Sequence, residues 1–193
     1  FMFYDTYKKA RDAAWWFLIE TGARTLPLPV PSICQAHDIL LMSDTEKIIL
    51  GSDDRGISFQ SEGRWHILLN PDDSLQIRRY TIAHELGHIY MGHPMQSGKY
   101  GRTFGVQSII SSPIEYQAER FAIGVLAPAC VLYGLGLHTA ESISKVCGIS
   151  FSAAQRRAKR MEVLYERGMF FSHPLEKQVF EQFSDFIHNK NGR

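Results

Sequence analysis

The segment TIAHELGHIYMGH, residues 81–93, holds the densest group of side chains that could bind a metal ion. Within it, His84, Glu85 and His88 form an HExxH pattern. On a helix, residues four apart lie on the same face, so both imidazoles can direct a nitrogen at one divalent ion. Glu85 lies about 100° further round such a helix, where it is better placed to accept a proton from water than to bind the ion. The pattern therefore predicts a hydrolytic metal site with Glu85 as general base.

A catalytic zinc site usually has three protein ligands and one open position, so a third ligand must lie further along the chain. The candidates are His93, Glu115 and Glu119. The two glutamates are one turn apart in EYQAERFA, which suits a ligand followed by a carboxylate that orients a bound histidine. We expect Glu115 to be the ligand and Glu119 to be the orienting acceptor or an alternative ligand. His93 is expected at the surface or behind a ligand, with direct ligation as the alternative.

Two competing explanations need no metal. HExxH also arises by chance on ordinary helices, and Glu115 could instead close a capping box in SPIE, residues 112–115. The residues around the histidines favour the metal site, because Ile82-Ala83 and Leu86-Gly87 are small or apolar. Gly87 in particular would let another element of the chain come close, which a solvated helix does not need.

The surrounding segments predict an α+β domain in which helices predominate. Caps, glycines and prolines delimit helices at residues 5–21, 32–38, from Ser74 through the HExxH pattern, from Pro113 to near Pro128, and at 140–147, 151–167 and 174–188. Four β-type runs, at 39–42, 46–50, 56–60 and 64–70, predict a small antiparallel sheet. Residues 121–137 are uncharged, but Pro128 interrupts them and they are too short for a membrane span, so we expect two buried helical pieces.

Charge and cysteine content limit the class of protein. The chain has 193 residues, of which 21 are basic and 20 acidic, for a formal charge of +1. No strong field therefore selects for nucleic acid or an acidic membrane surface. The three cysteines show no CxxC spacing, and no leader-like apolar segment opens the sequence. Both features predict a cytoplasmic protein that does not contact the membrane.

RRYTIAHELGHIYMGH followed by EYQAERFAIGVLAP resembles the ImmA/IrrE family of zinc metallopeptidases, and the similarity covers most of residues 5–167. The resemblance implies a zincin-like peptidase domain, with zinc on His84, His88 and Glu115 and with Glu85 as general base. Mn²⁺ or Fe²⁺ could replace zinc. Glu119 stands where the family usually has Asn or Asp. Members cleave a helix-turn-helix repressor and so release genes of a mobile element or a stress response, which implies a substrate of that kind here.

The C-terminal residues have the pattern of a helix-turn-helix, with Thr139 and Ser150 as the expected caps of its two helices and a turn at Gly148. The second helix is basic, with Arg156, Arg157 and Arg160. We expect a peptidase domain over residues 1–137 and a C-terminal helical segment over 138–193 that packs on it. The arginines could contact DNA or a partner protein. Because the net charge is near zero, packing or partner docking is favoured over direct DNA binding.

Two further hypotheses follow. Tyr90, Tyr100 and Tyr116 could each stabilise the oxyanion of a tetrahedral intermediate, and the sequence does not choose among them. The alternative to a peptidase is a non-catalytic regulator that binds DNA or a repressor, or a toxin–antitoxin component, with a structural metal site.

Overall fold

The structure is a computed structural model that describes residues 2–51, 53–94 and 113–192, without the side chains of residues 2–4. The elements are α1 (Met2–Glu20), α2 (Val30–Ala36), β1 (Ile39–Ser43), β2 (Gly56–Ser61), β3 (Arg64–Leu69), α3 (Leu75–Tyr90), α4 (Pro113–Leu126), α5 (Ala129–Gly134), α6 (Ala140–Cys147), α7 (Phe151–Glu166), α8 (Pro174–Gln182) and α9 (Ser184–Asn191). The predicted helix-rich α+β class is confirmed.

The sheet has three strands in the order β1-β3-β2. β2 and β3 form an antiparallel hairpin whose turn residues, Glu62 and Gly63, have φ of 52° and 77°. Positive φ at both positions matches the twist of a two-residue hairpin. β1 runs parallel to β3, with Leu41 opposite Ile67. The sheet is therefore mixed, and the prediction of an antiparallel sheet was wrong for β1, because the connection from β1 to β3 contains β2 and is long enough for parallel pairing.

Residues 46–50, predicted as a strand, instead form a loop around Asp44. The Asp44 carboxylate accepts hydrogen bonds from the backbone N–H groups of Leu50, Ile49 and Ile48, at 2.7, 3.0 and 3.1 Å. These bonds, that from Leu50 foremost, lower the pKa of Asp44. The Asp44 carboxylate thus satisfies backbone N–H groups that a neighbouring strand would satisfy in a sheet. The prediction of a strand at residues 46–50 was wrong because their apolar composition does not reveal this contact.

The HExxH helix, α3, packs on the sheet. Ser74 caps its start, as predicted, by accepting a hydrogen bond from the N–H of Ile77. On β2, a Cβ added to Gly56 would lie 2.7 Å from Cγ2 of Thr81, so the strand and the helix approach too closely for any side chain there. Residues 80–87 of α3 are all buried. His84 and Glu85 of the HExxH pattern are therefore held inside the protein.

The described chain falls into two compact units. One comprises the residues through Ala10 together with Pro29–Ala122 and contains the sheet, α2 and α3; the other comprises Arg11–Leu28 and the residues from Ile123 onward. The separate C-terminal domain of residues 138–193 stays a prediction. No helix within the described ranges has the length and apolar character needed to cross a membrane.

Within the second unit, α6 and α7 form the predicted capped helical pair. Thr139 accepts a hydrogen bond from the N–H of Ser142, and Ser150 accepts one from Ala153. Gly148 ends α6 with φ of 62°, a left-handed conformation that glycine adopts without steric cost. The uncharged stretch of residues 121–137 is likewise two helical pieces, the end of α4 and α5, as predicted.

The prediction of one continuous helix over residues 174–188 was wrong at Phe183, which separates α8 from α9. Its N–H donates to the carbonyls of both Val179 and Phe180 at 3.2 Å, which tightens the turn. The α-helical pattern resumes where the N–H of Ile187 donates to the carbonyl of Phe183 at 3.0 Å. Val179, Phe183 and Ile187 are all buried. Because the apolar face continues through the break, periodicity alone does not reveal it.

The three cysteines, Cys34, Cys130 and Cys147, are buried and form no disulfide. Burial raises the pKa of Cys34 and of Cys130 to about 12. Their thiols are therefore protonated near neutral pH and are poor nucleophiles and poor metal ligands.

Candidate metal centre

The structure brings together His84 and His88 of α3 and Glu115 of α4. The Nε2 atoms of the two histidines lie 2.8 Å apart. The Glu115 carboxylate places Oε2 3.4 Å from Nε2 of His84 and Oε1 3.4 Å from Nε2 of His88. One ligand atom from each residue lies within 4.8 Å of the others. Two imidazoles and a carboxylate thus face a common point.

This donor set fits a divalent ion such as zinc. Tetrahedral zinc with bonds of ~2.0–2.1 Å keeps its ligand atoms about 3.3 Å apart. Each imidazole Nε2 has one Glu115 oxygen at 3.4 Å, Oε2 for His84 and Oε1 for His88, so each of these two pairs separately has that spacing. The shorter 2.8 Å between the imidazoles is a hydrogen-bond distance, which bonds to an ion would replace. His84 is fully buried, and the exposed fractions of the His88 and Glu115 side chains are 12% and 17%.

Gly87 allows the two ligand-bearing helices to approach. A Cβ on Gly87 would lie 3.0 Å from Cδ1 of Phe121 and 3.2 Å from Cα of Ala118. Gly87 directly precedes His88, and Ala118 lies three residues after Glu115. The expectation of a close approach at this glycine is confirmed. Ser112, the capping partner in the alternative explanation of Glu115, lies outside the described residues.

Gly87→Ala should therefore weaken zinc binding by separating α3 from α4. The new methyl meets the backbone of Ala118, which cannot rotate away, and overpacking of this kind costs about 1–3 kcal/mol of unfolding free energy. The better helix propensity of alanine offsets up to about 1 kcal/mol of that. Competition with a zinc chelator and urea denaturation measure the two effects. An unchanged zinc affinity would contradict the proposed dependence on helix spacing.

Glu85 is 3% exposed and is bound to the sheet. The hydroxyl of Ser58, on β2, donates a hydrogen bond to Oε2 of Glu85 at 2.8 Å. Ser58 was not predicted from the sequence, because a serine in a strand has no distinguishing pattern. The available signal was alternation along β2, which places Ser58 on the same face as Gly56, the residue that packs against α3.

Glu119 lies behind His84, away from the common point. One oxygen, Oε1, is 3.5 Å from Nδ1 of His84, and the other, Oε2, accepts a hydrogen bond from the Tyr80 hydroxyl at 2.7 Å. Tyr80 belongs to α3 and Glu119 to α4. The position suits the predicted acceptor for a bound histidine, with Tyr80 fixing the carboxylate.

His93 lies behind His88 and outside the group of three donors. Its Nδ1 is 3.1 Å from Nδ1 of His88, and its Nε2 is 2.9 Å from Oε1 of Gln117. Burial lowers the pKa of His93, and the hydrogen bond with Gln117 partly opposes that shift. Gln117 was not predicted from the sequence.

Comparison with protein families decides the class of this chain. The Peptidase_M78 family model, described as the IrrE N-terminal-like domain, matches residues 34–159, more than half of the sequence. The chain belongs to this family. The matched range contains the whole metal group and Glu85, and the similarity to ImmA/IrrE peptidases noted from the motifs is thereby confirmed. None of the curated proteins compared with the chain matches it.

The tyrosine predictions for this IrrE-like domain stay predictions. Tyr100 lies outside the described residues. Tyr90 is 38% exposed, with its ring centroid 5.8 Å from that of Phe121. The guanidinium of Arg120 lies 4.9 Å from the ring centroid of Tyr116.

The predicted DNA- or partner-contacting arginines differ in exposure. On α7, Arg156 is exposed, whereas Arg157 and Arg160 are half-buried. Burial raises the pKa of Glu176, and the positive charge of Arg157 is one of the effects that oppose this rise. Arg157 therefore faces the interior of its own unit, and Arg156 is the member of the three that is oriented towards solvent in the IrrE-like protein.

Proposed function

We propose that this chain is a zinc-dependent endopeptidase. The observation that carries the proposal is the convergence of His84, His88 and Glu115 on one point, with Glu85 next to the first ligand in sequence, in a member of a peptidase family. Two imidazoles and one carboxylate favour zinc, and Mn²⁺ or Fe²⁺ could use the same donors.

The side chains around the metal group have separable tasks in this proposal. A zinc ion held there would lower the pKa of a water towards ~7 and polarise the scissile carbonyl. Glu85 takes the proton from the water and delivers it to the leaving amine. Ser58 fixes the orientation of the Glu85 carboxylate by holding Oε2. Oε1 of Glu119 lies 3.5 Å from Nδ1 of His84, where it would accept the proton of that nitrogen once Nε2 held an ion.

We infer that the substrate is a helix-turn-helix repressor, cut at one or a few bonds to release genes of a mobile element or a stress response. Family membership supports a protein substrate. The burial of His84 and Glu85 supports limited cleavage, because a folded protein can reach such a site only with an extended or locally unfolded segment. A repressor as substrate would place the protein in the cytoplasm.

A second candidate is a regulator that binds DNA or a repressor through α6 and α7 and uses the metal structurally. The capped helical pair and the solvent-facing Arg156 favour it. The electrostatic engagement of Arg157 with Glu176 counts against a fully exposed basic surface.

One pair of assays separates the two functions. The purified chain is incubated with a candidate helix-turn-helix repressor, chosen from the neighbouring genes, with and without EDTA and after zinc is restored. The same samples are used in a gel shift with the operator DNA of that repressor. A peptidase loses cleavage in EDTA and regains it with zinc. Undiminished cleavage in EDTA would reject the metal mechanism. A salt-sensitive gel shift that survives EDTA and weakens in Arg156→Ala, without cleavage, would support the second function.

A further inference from the structure

We propose that His93 and Gln117 form a hydrogen-bond relay that fixes which nitrogen of His88 faces the metal ion. The proposal rests on the metal group of the proposed function, but it does not require that the chain cleave peptides. His93 and Gln117 act through His88 and are positioning residues.

The end of α3 places His93 behind His88. Gly92 has φ of 64°, and the chain turns back so that the N–H of His93 donates to the carbonyl of His88 at 3.0 Å, while that of Gly92 donates to Ile89 at 3.2 Å. This pair of hydrogen bonds is a Schellman motif, with Met91 as the C-cap. In such motifs the residues at the positions of His93 and His88 usually make a hydrophobic contact with each other. Here that contact joins two imidazoles, Nδ1 to Nδ1, at 3.1 Å.

The relay continues to the helix that carries the third ligand. Nε2 of His93 lies 2.9 Å from Oε1 of Gln117, two residues after Glu115 on α4. The three side chains therefore link a metal-facing histidine on α3 to the helix of the carboxylate ligand.

The direction of the relay follows from which atoms can donate. An amide oxygen only accepts, so Nε2 of His93 donates to Gln117, and Nδ1 of His93 is the atom left to accept from His88. Nδ1 of His88 must then donate, which leaves Nε2 of His88 with its lone pair for the ion; in the metal-free protein this lone pair accepts from Nε2 of His84 at 2.8 Å. The reverse orientation of the Gln117 amide would reverse each donor and put a proton on Nε2 of His88, where it excludes an ion. Only one orientation is compatible with metal binding.

The two histidines are thus held by different chemistry. His84 faces the carboxylate of Glu119, whereas His88 faces an imidazole backed by an amide. A neutral acceptor orients His88 without adding a further negative charge to a region that already holds Glu85, Glu115 and Glu119.

Zinc affinity of the full chain, measured by chelator competition, tests the relay. His93→Ala and Gln117→Leu should each bind zinc about 10–100-fold more weakly than the wild type, as is usual when an outer partner of a metal-bound histidine is lost. Gln117→Glu can only accept and should retain affinity, whereas Gln117→Lys can only donate and should lose it. The double variant His93→Ala/Gln117→Leu should be no weaker than His93→Ala, because both changes break one relay. Gln155→Leu, at an exposed position of α7, is the control.

Nitrogen-15 NMR of the metal-free protein gives a second reading that packing alone would not change. His88 should be the Nδ1–H tautomer in the wild type and in Gln117→Glu, and it should shift towards Nε2–H in Gln117→Leu. Wild-type zinc affinity in both single variants, additive losses in the double variant, or an unchanged tautomer in Gln117→Leu would overturn the relay. Because the NMR measurement needs neither zinc nor substrate, a failure of the peptidase proposal, seen as no cleavage by a zinc-loaded wild type, is distinguishable from a failure of the relay.

Discussion

Glu85→Gln should nearly abolish cleavage while zinc stays bound. The amide matches the carboxylate in size and can still accept the hydrogen bond from Ser58, but it cannot take a proton from water at neutral pH. Loss of a general base typically lowers the rate by about 10²–10⁴-fold. The rate of repressor cleavage and the zinc content by elemental analysis are measured on the same sample.

The matched control is Glu46→Gln, the same chemical change in an exposed loop residue of the same unit. This control should cleave at the wild-type rate. A zinc-loaded Glu85→Gln that also cleaves at the wild-type rate would show that another group accepts the proton, and the mechanism would have to be abandoned even though the metal site remained.

Glu115→Ala should weaken zinc binding more than the loss of any residue that only contacts a ligand from behind, because Glu115 is itself one of the three donors. Loss of an outer partner costs about 10–100-fold in affinity, so we expect a loss of more than about 100-fold at Glu115. Glu119→Ala, one turn further along α4, is the matched comparison and should fall within the smaller range.

The order of these two affinities decides the role of Glu115. If Glu115 only capped its helix, Glu115→Ala would lower the thermal stability of the metal-free protein and leave zinc affinity at the wild-type value. An affinity loss in Glu119→Ala that exceeds the loss in Glu115→Ala would instead reassign the ligand to Glu119.

Local sequence was enough to predict the parts of the site that depend on helical spacing. His84 and His88 share a face because they are four residues apart, and Glu115 and Glu119 are related in the same way on α4. Gly87 could be predicted as a point of close approach because nothing else explains a glycine inside a buried helix. The helix-rich class and the caps at Ser74, Thr139 and Ser150 followed from equally local signals.

The parts that were missed depend on contacts between residues distant in sequence. Ser58 meets Glu85, and Gln117 meets His93, across 27 and 24 residues. Neither residue has a pattern of its own. β1 pairs in parallel with β3 because of the path taken by the intervening chain. The loop at residues 46–50 has the composition of a strand, and only the position of the Asp44 carboxylate shows that its backbone is bound otherwise.

The burial of all three thiols makes the native protein suitable for site-selective fluorescent labelling. With pKa values of about 12, Cys34 and Cys130 stay protonated at pH 8 and react poorly with a maleimide. Cys147 is also fully buried. A cysteine introduced at an exposed position such as Ser152 on α7 would therefore react alone. A fluorophore attached there can report the docking of a repressor by anisotropy, with every native cysteine retained and without interference from thiols in a zinc titration.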